Sequence, residues 1–190
     1  MIITKFQGRL GNQMFQYAAA LAISKKLKTF CLIDESSNSV FLKYFEIRLF
    51  GYDFVNSMML KLFKKTIKKT IYQIGDEDIT EMKKLFINNS YYNGFFQSEL
   101  YFEGYESYLK NKMVIKKIYK VAFINKYKQL FNDNKIIAIH CRLGDYLNWG
   151  SDALGGKNLT LPQSYYKNAL SKIDQLEIYK IIIVTDDIKM

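Results

Sequence analysis

Histidine occurs once in these 190 residues, at His140, and cysteine twice, at Cys31 and Cys141. A single histidine without any Cys-x-x-Cys pair speaks against a zinc site. Each cysteine lies in or beside an apolar run, which reads as a small core residue and not as a disulfide framework. Arginine is almost as scarce: lysine and arginine together number 28, yet arginine stands only at 9, 48 and 142, so the remaining 25 are lysine. No apolar run approaches the length of a membrane span. Met1–Lys5 shows no basic segment leading into a long apolar stretch, the mark of a signal peptide. The expectation is a cytoplasmic protein. Internal repeats and low-complexity segments are also missing.

What is present suits a globular chain. Apolar residues make up 49% and charged residues 24%, which excludes wholesale disorder, and 15 tyrosines with 14 phenylalanines can build a large core. The length fits one large domain, or one domain and part of another. The formal net charge of +10 suits an anionic ligand, a membrane surface or nucleic acid, although a lysine-rich background accounts for most of it.

Along the chain, Ile2–Phe6 reads as a strand, Gln7–Asn12 as a glycine turn, and Met14–Lys26 as an Ala-rich helix. Thr29–Ile33 is a second strand ending at Asp34, completing a parallel βαβ unit. Gly8, Gly11 and Asp34 align partly with the dinucleotide fingerprint, but Phe6 stands at its first glycine, so a nicotinamide-dependent enzyme is a minor reading. Ser36–Asn56 is mixed and aromatic. Over Asn56–Ile74 the spacing predicts one amphipathic helix, with Lys61, Lys64, Lys65 and Lys68 on one face and Leu60, Phe63, Ile67 and Ile71 on the other. A solvated lysine face is preferred there over peripheral contact of Lys61–Lys69 with the inner face of a membrane. Asp76–Phe86 reads as a helix. Tyr91–Phe96 reads as an aromatic strand, with Ser98 capping the next helix. Tyr105–Asn132 has helical spacing, and Asn132–Asn134 marks a boundary between 1–132 and 133–190. Ile136–His140 opens the second part, Asn148–Lys157 is a glycine loop, Leu161–Leu170 starts a helix, and Ile181–Val184 is a buried parallel strand before Asp186 and Asp187.

The strand Ile136–His140 organises this reading. It delivers His140, Arg142 and Asp145 to its C-terminal mouth, where an open α/β sheet places ligand chemistry. In a chain that otherwise relies on lysine, an arginine here brings a planar fork that can grip a phosphate with two parallel hydrogen bonds.

The pattern His140-x-Arg142-x-x-Asp145 resembles a signature of the α-1,2-fucosyltransferases and related enzymes that use GDP-fucose. The thirteen positions from Phe6 to Ala18, with Gly8-Arg9-Leu10-Gly11-Asn12-Gln13 at their centre, resemble the N-terminal motif of that family, glycosyltransferase family 11. The Gly-Arg-x-Gly-Asn-Gln core is also similar to the protein O-fucosyltransferases. Gly94–Glu99, Leu161–Leu170 and Thr185-Asp186-Asp187 resemble further family segments. The chain departs from the family at Leu143, where many members carry a second arginine. The later family motif Asn-Ser-Ser-Phe-Ser-Trp-Trp does not occur in it.

The resemblance implies an α/β, GT-B-like fold: a Rossmann-like acceptor-side domain, then the start of a second Rossmann-like domain that binds the nucleotide sugar. From 133 onward 58 residues remain, against on the order of 100 for such a domain. The sequence is therefore expected to be the front part of a family member, with little or no transferase activity and weak GDP-fucose binding by itself, and with apolar strand residues of the second part facing water. The implied reaction is inverting transfer of L-fucose from GDP-fucose to the 2-hydroxyl of a galactose-type acceptor in surface polysaccharide or oligosaccharide synthesis. No cofactor and no metal are implied: the chain has adjacent Asp186 and Asp187 in place of an isolated Asp-x-Asp, and Arg142 supplies fixed charge for the leaving diphosphate. Arg142 and Asp145 are the expected catalytic pair, with Asp145 holding the arginine fork or its loop. Gly11, Asn12, His140, Arg142, Asp186 and Asp187 are expected to bind the donor. Arg9 and Gln13 are expected to line the donor or acceptor cleft. His140 has a core role as its competing reading, Asp186 and Asp187 a capping role, and no side chain stands out as general base. The rival functions are an inactive glycan-binding remnant and, ranked lower, a basic nucleic-acid-binding protein.

Overall fold

The computed structural model describes residues 1–35, 39–47, 52–73, 78–132, 134–147 and 158–186. The expected glycine loop Asn148–Lys157 and Asp187 lie outside the described residues, as do parts of the Ser36–Asn56 and Asp76–Phe86 segments. The chain divides into two compact units, Met1–Lys120 and Val121–Met190. The division falls inside a helix, ahead of the polar punctuation at Asn132–Asn134.

The first unit is built on β1 (Ile2–Phe6), α1 (Leu10–Lys26) and β2 (Cys31–Glu35). It continues through α2 (Val40–Tyr44), β3 (Phe45–Glu46), α3 (Tyr52–Phe63), β4 (Lys69–Gln73), α4 (Ile79–Lys84), β5 (Ser90–Gly94), α5 (Glu106–Lys112) and β6 (Val114–Ile115), and α6 (Lys117–Asn132) starts within it. Four strands form a parallel sheet in the order β2-β1-β5-β4, with Ile2 opposite both Cys31 and Ser90. β3 and β6 form a small antiparallel pair.

Alternation along β1 and β2 feeds both faces of the sheet, as period-two side chains must. Ile2, Phe6, Cys31 and Ile33 pack with the α1 residues Tyr17, Ala18, Ala19, Ala20 and Ile23, while Ile3 and Leu32 pack with Met59, Leu60 and Phe63 around α3. The run of alanines lets α1 lie close on the sheet, and ten of its residues are buried. α1 ends in a Schellman arrangement: Thr29 N–H donates to Ser24 O at 2.9 Å and Lys28 N–H to Lys25 O at 3.2 Å, with Lys28 at φ 51° where glycine is usual.

β2 is an edge strand, and its outer side is covered by a side chain. Asn56, buried on α3, accepts from Ile33 N–H at 3.0 Å and donates to Ile33 O at 2.8 Å. One neutral amide thereby satisfies both backbone groups of one residue.

The single helix expected over Asn56–Ile74 does not form. α3 stops at Phe63, a 3-10 turn covers Lys64–Thr66, and Lys69–Gln73 is strand β4. The Thr70-Ile71-Tyr72 run favours strand, and the free side of β5 supplies a partner for it. Ile71, 2% exposed, packs in the α1-side core instead of on a helix face. The Lys61–Lys69 segment, weighed as a helix with a solvated lysine face or a peripheral membrane contact, is therefore a helix end, a turn and a strand start. Tyr105–Asn132 likewise splits into α5, β6 and α6, and Ser98 caps only a 3-10 turn, accepting from Leu100 N–H at 3.3 Å.

The second unit holds β7 (Lys135–Cys141), α7 (Gln163–Leu170) and β8 (Tyr179–Thr185), and the rest of α6. β7 and β8 are parallel and in register over seven residues, from Lys135 opposite Tyr179 to Cys141 opposite Thr185. Ile181–Val184 is a parallel strand as the sequence suggests, but it is not buried: Ile183 is 64% and Val184 52% exposed, and no described residue of this unit is buried. No described helix is long and apolar enough to cross a membrane.

At the end of β2, Asp34 Oδ2 accepts from the Tyr91 hydroxyl at 2.6 Å and from Lys64 Nζ at 2.8 Å. Burial, the largest single influence, pushes the Asp34 pKa up, but the hydrogen bonds from Lys64 and Tyr91 and the charges of Lys64 and Lys5 together hold it below the usual value. A depressed carboxyl stabilises the fold above its unfolded pKa of about 3.9 and loses that contribution as pH falls through the folded value. Asp34→Asn should therefore cost about 1 kcal/mol at pH 7, discounted for solvent screening. The gap to the parent should close in urea titrations carried down to pH 2–3. A gap independent of pH would show that the contact carries no charge contribution.

Candidate functional site

In the first unit the loops leaving β1 and β5, adjacent parallel strands, come together at the carboxyl edge of the sheet, the edge at which open α/β sheets hold ligands. Gly8 has φ 73°, a conformation that favours glycine, and a Cβ there would push the Asn12 side chain aside. Gly11 differs. A Cβ there would meet nothing within 4 Å, so the turn does not explain this glycine, and it leaves open space on the first turn of α1. Arg9, exposed, precedes α1, and its carbonyl accepts from Gln13 N–H at 3.0 Å. Asn12 Oδ1 accepts from Gln97 Nε2 at 2.7 Å.

Gln13 is not a cleft residue. It is buried; its Nε2 donates to Gly8 O at 3.1 Å, and its Oε1 accepts from Phe41 N–H at 2.8 Å and the Ser39 hydroxyl at 3.0 Å. A glutamine one turn into a helix over a sheet points into the core, and here it ties α1 to the start of α2. Gln16, which sequence reasoning passes over, does the same for the motif loop. Fully buried, it accepts from Gln7 N–H at 3.0 Å and donates to Gln7 O at 3.2 Å. Asp34, the acidic residue of the nicotinamide reading, is already engaged by Lys64 and Tyr91.

In the second unit β7 delivers Arg142 one residue past its end. Arg142 Nε and Nη2 donate to Asp145 Oδ1 and Oδ2 at 3.1 and 2.8 Å, a fork-to-fork pair, and the guanidinium carbon lies 4.3 Å from the Tyr146 ring centroid. The Asp145 hydrogen bond, ahead of other effects, raises the Arg142 pKa above its ordinary value, so the cation persists at any working pH. Asp145 opens a 3-10 turn over Asp145–Leu147, which sets the three-residue spacing for the fork. The structure thus brings Arg142 and Asp145 together and adds Tyr146.

Asp186, one residue past β8, reaches the same turn. Its Oδ1 accepts from Leu143 N–H at 2.8 Å and Gly144 N–H at 3.2 Å, and these backbone bonds, led by Leu143, hold its pKa below the ordinary value. A Cβ at Gly144 would come within 3.0 Å of Asp186 Oδ2. Asp186 therefore braces the loop that carries Arg142, a capping use of the carboxylate. His140, on β7 opposite Val184 of β8, is exposed, as are many residues of this unit. Cys31 is buried and free, with its thiol pushed up to about 12 by burial, and Cys141 is also free. Among the described residues no group of three or more His, Cys, Asp and Glu stands together as metal ligands would.

The Gln16 brace is testable. Gln16→Leu keeps the volume and strands Gln7 N–H and C=O at the base of the motif loop, so unfolding free energy should fall by about 1–3 kcal/mol in denaturant titration. A change within error would mean that water replaces the amide without cost.

The sequence model of Glycosyl transferase family 11 matches residues 1–190. The O-antigen biosynthesis glycosyltransferase WbnK of Escherichia coli is 28% identical over 221 residues, which span 96% of this chain and 71% of that protein. Among solved structures, NodZ alpha-1,6-fucosyltransferase soaked with GDP-fucose aligns with a TM-score of 0.56 at 14% identity, over 98% of this chain and 71% of that one. NodZ from Bradyrhizobium aligns at 0.55 and 14%, over 98% and 72%. At such identity the likeness concerns the fold, which is α/β and GT-B-like with parallel sheets. The match over its whole length shows that the chain belongs to glycosyl transferase family 11.

Proposed function

We propose that this glycosyltransferase moves L-fucose from GDP-fucose to the 2-hydroxyl of a galactose-type acceptor, with inversion, in the assembly of a surface polysaccharide or oligosaccharide. The observation that carries the reading is the forked Arg142 at the mouth of a parallel strand, in a chain of this family. The relatives support its parts: WbnK is named for O-antigen biosynthesis, and NodZ is a fucosyltransferase soaked with GDP-fucose. The NodZ linkage is α-1,6, so the 2-hydroxyl rests on the motif resemblance alone.

In this reading the bond between fucose C1 and the β-phosphate oxygen breaks with its electron pair on the phosphate, while the acceptor oxygen bonds to C1 and passes its proton to solvent. Negative charge grows on the departing diphosphate, and a preorganised cation stabilises that change without reorganising. Asp145 and the Tyr146 ring hold the Arg142 plane still, and Asp186 fixes the backbone that presents it. In this reading Gly11 and His140 are donor contacts, and Arg9 and Asn12 are donor or acceptor contacts. The place of action is the cytoplasm, and neither nucleic acid nor a cofactor takes part.

Arg142→Lys keeps the charge and loses the fork, so kcat/KM for GDP-fucose should fall at least ~10-fold, about 1.4 kcal/mol of barrier. Parental activity in that variant would remove Arg142 from the centre of the reaction.

Turnover should also survive exhaustive chelation, because the leaving charge is met by a fixed cation. Loss of activity that returns with manganese or magnesium would refute the metal-independent account.

A further inference from the structure

Gln73, which belongs to none of the motifs, holds the turn that follows β5. Gly94 lies opposite it in the β4–β5 ladder, and a Cβ on Gly94 would sit 2.6 Å from Gln73 Cβ and 2.8 Å from Gln73 O. That close approach lets the Gln73 side chain reach past the strand end. Its Oε1 accepts from Phe95 N–H at 3.0 Å and Phe96 N–H at 2.9 Å, so one amide oxygen serves two consecutive backbone donors.

The turn it holds is a costly one. Phe96 has φ 51°, a left-handed conformation that a bulky residue adopts only when its surroundings impose it. The surroundings act from two sides. The Phe96 ring is buried edge-on against Tyr101 at 5.3 Å, and Gln73 holds the amides. The reversal at Phe96 turns the next side chain outward. Gln97 is exposed and donates to Asn12 Oδ1 at 2.7 Å, across 85 positions of sequence. This bond uses one N–H of Gln97 and the oxygen of Asn12. It does not use Gln97 Oε1 or the Asn12 amide hydrogens, a neutral acceptor and donor of the kind that grips a sugar diol.

We propose that Gln73 is a positioning residue, and that the Asn12–Gln97 amide pair it sets in place binds hydroxyls of a sugar substrate, either the fucose of the donor or the acceptor galactose. The hydroxyl contact rests on the transferase reading above. The positioning does not.

Two measurements separate these. In NMR of the whole chain, cross-relaxation between the Gln97 and Asn12 side-chain amides should be present in the parent and in Gln73→Glu, which keeps an acceptor. It should vanish in Gln73→Leu while β1 and β2 amide shifts stay in place. Persistence in Gln73→Leu overturns the positioning role. In turnover, Gln73→Leu should raise one KM about 10-fold with kcat little changed, and Gln73→Glu should restore it. A rise in the GDP-fucose KM assigns the pair to the donor, and a rise in the acceptor KM assigns it to the acceptor. Gln97→Leu, at an exposed position that leaves folding intact, should reproduce the same rise. Unchanged KM values in both leucine variants overturn the hydroxyl contact. Should the parent transfer no fucose, Gln73→Leu and Gln97→Leu should instead weaken the binding of GDP-fucose or of a galactoside in calorimetry; unchanged binding of both overturns the hydroxyl contact, while the NMR comparison still decides whether Gln73 places Gln97.

Discussion

A parallel sheet must release its chain at the carboxyl end of every strand without stranding backbone N–H and C=O groups away from water. In the first unit side-chain amides meet that requirement. Gln16 closes on Gln7 after β1, Asn56 closes on Ile33 in β2, and Gln73 gathers the two amides after β5. Gln13 ties Gly8 to the start of α2. An amide suits the task because it carries a donor and an acceptor on one plane and no charge, so burying it costs far less than burying a carboxylate. The glutamine braces fix loops at the edge where ligands bind, and Asn56 covers the outer side of β2. The candidate site therefore inherits its rigidity from residues that do not touch it.

The second unit applies the same logic with charge. Asp186 takes the two turn amides that a glutamine takes elsewhere, and Asp145 takes the fork of Arg142. A lysine could carry the same formal charge, but its ammonium has no planar fork for a carboxylate to pin. The planar guanidinium, pinned along one edge and stacked over Tyr146, is already oriented before a ligand arrives. This gives a physical reason for one of only three arginines to stand here.

Much of the scaffold could be read from the sequence. β1, α1, β2, β7, β8 and α7 fall close to where apolar runs, the alanine stretch and the glycine turn suggest, because in each of them local preference and tertiary role agree. The α3–β4 stretch departs from its sequence pattern because alternating lysines and aliphatics satisfy a helical period and a strand period alike, and the open side of β5, far away in sequence, settles the choice. The braces left no periodic trace. Gln73 acts across 22 positions and Asn56 across 23, and a lone amide in a sequence does not say which backbone it will close on. At the site, the spacing of Arg142 and Asp145 was legible because a fork and its carboxylate meet within one turn. The inward turn of Gln13 and the bracing use of Asp186 were not, since both depend on what packs against them.

The amide that Asn56 places on Ile33 also bears on how this protein behaves in a crowded solution. An edge strand with its outward ladder groups unoccupied is a template on which a neighbouring chain can add a strand, the first step toward fibres. At Ile33 both outward groups are already bonded within the molecule, and the helix that supplies Asn56 lies alongside. An incoming strand would have to break two buried hydrogen bonds to begin pairing at mid-strand. A single side chain thus makes the β2 edge a poor seed for intermolecular sheet growth.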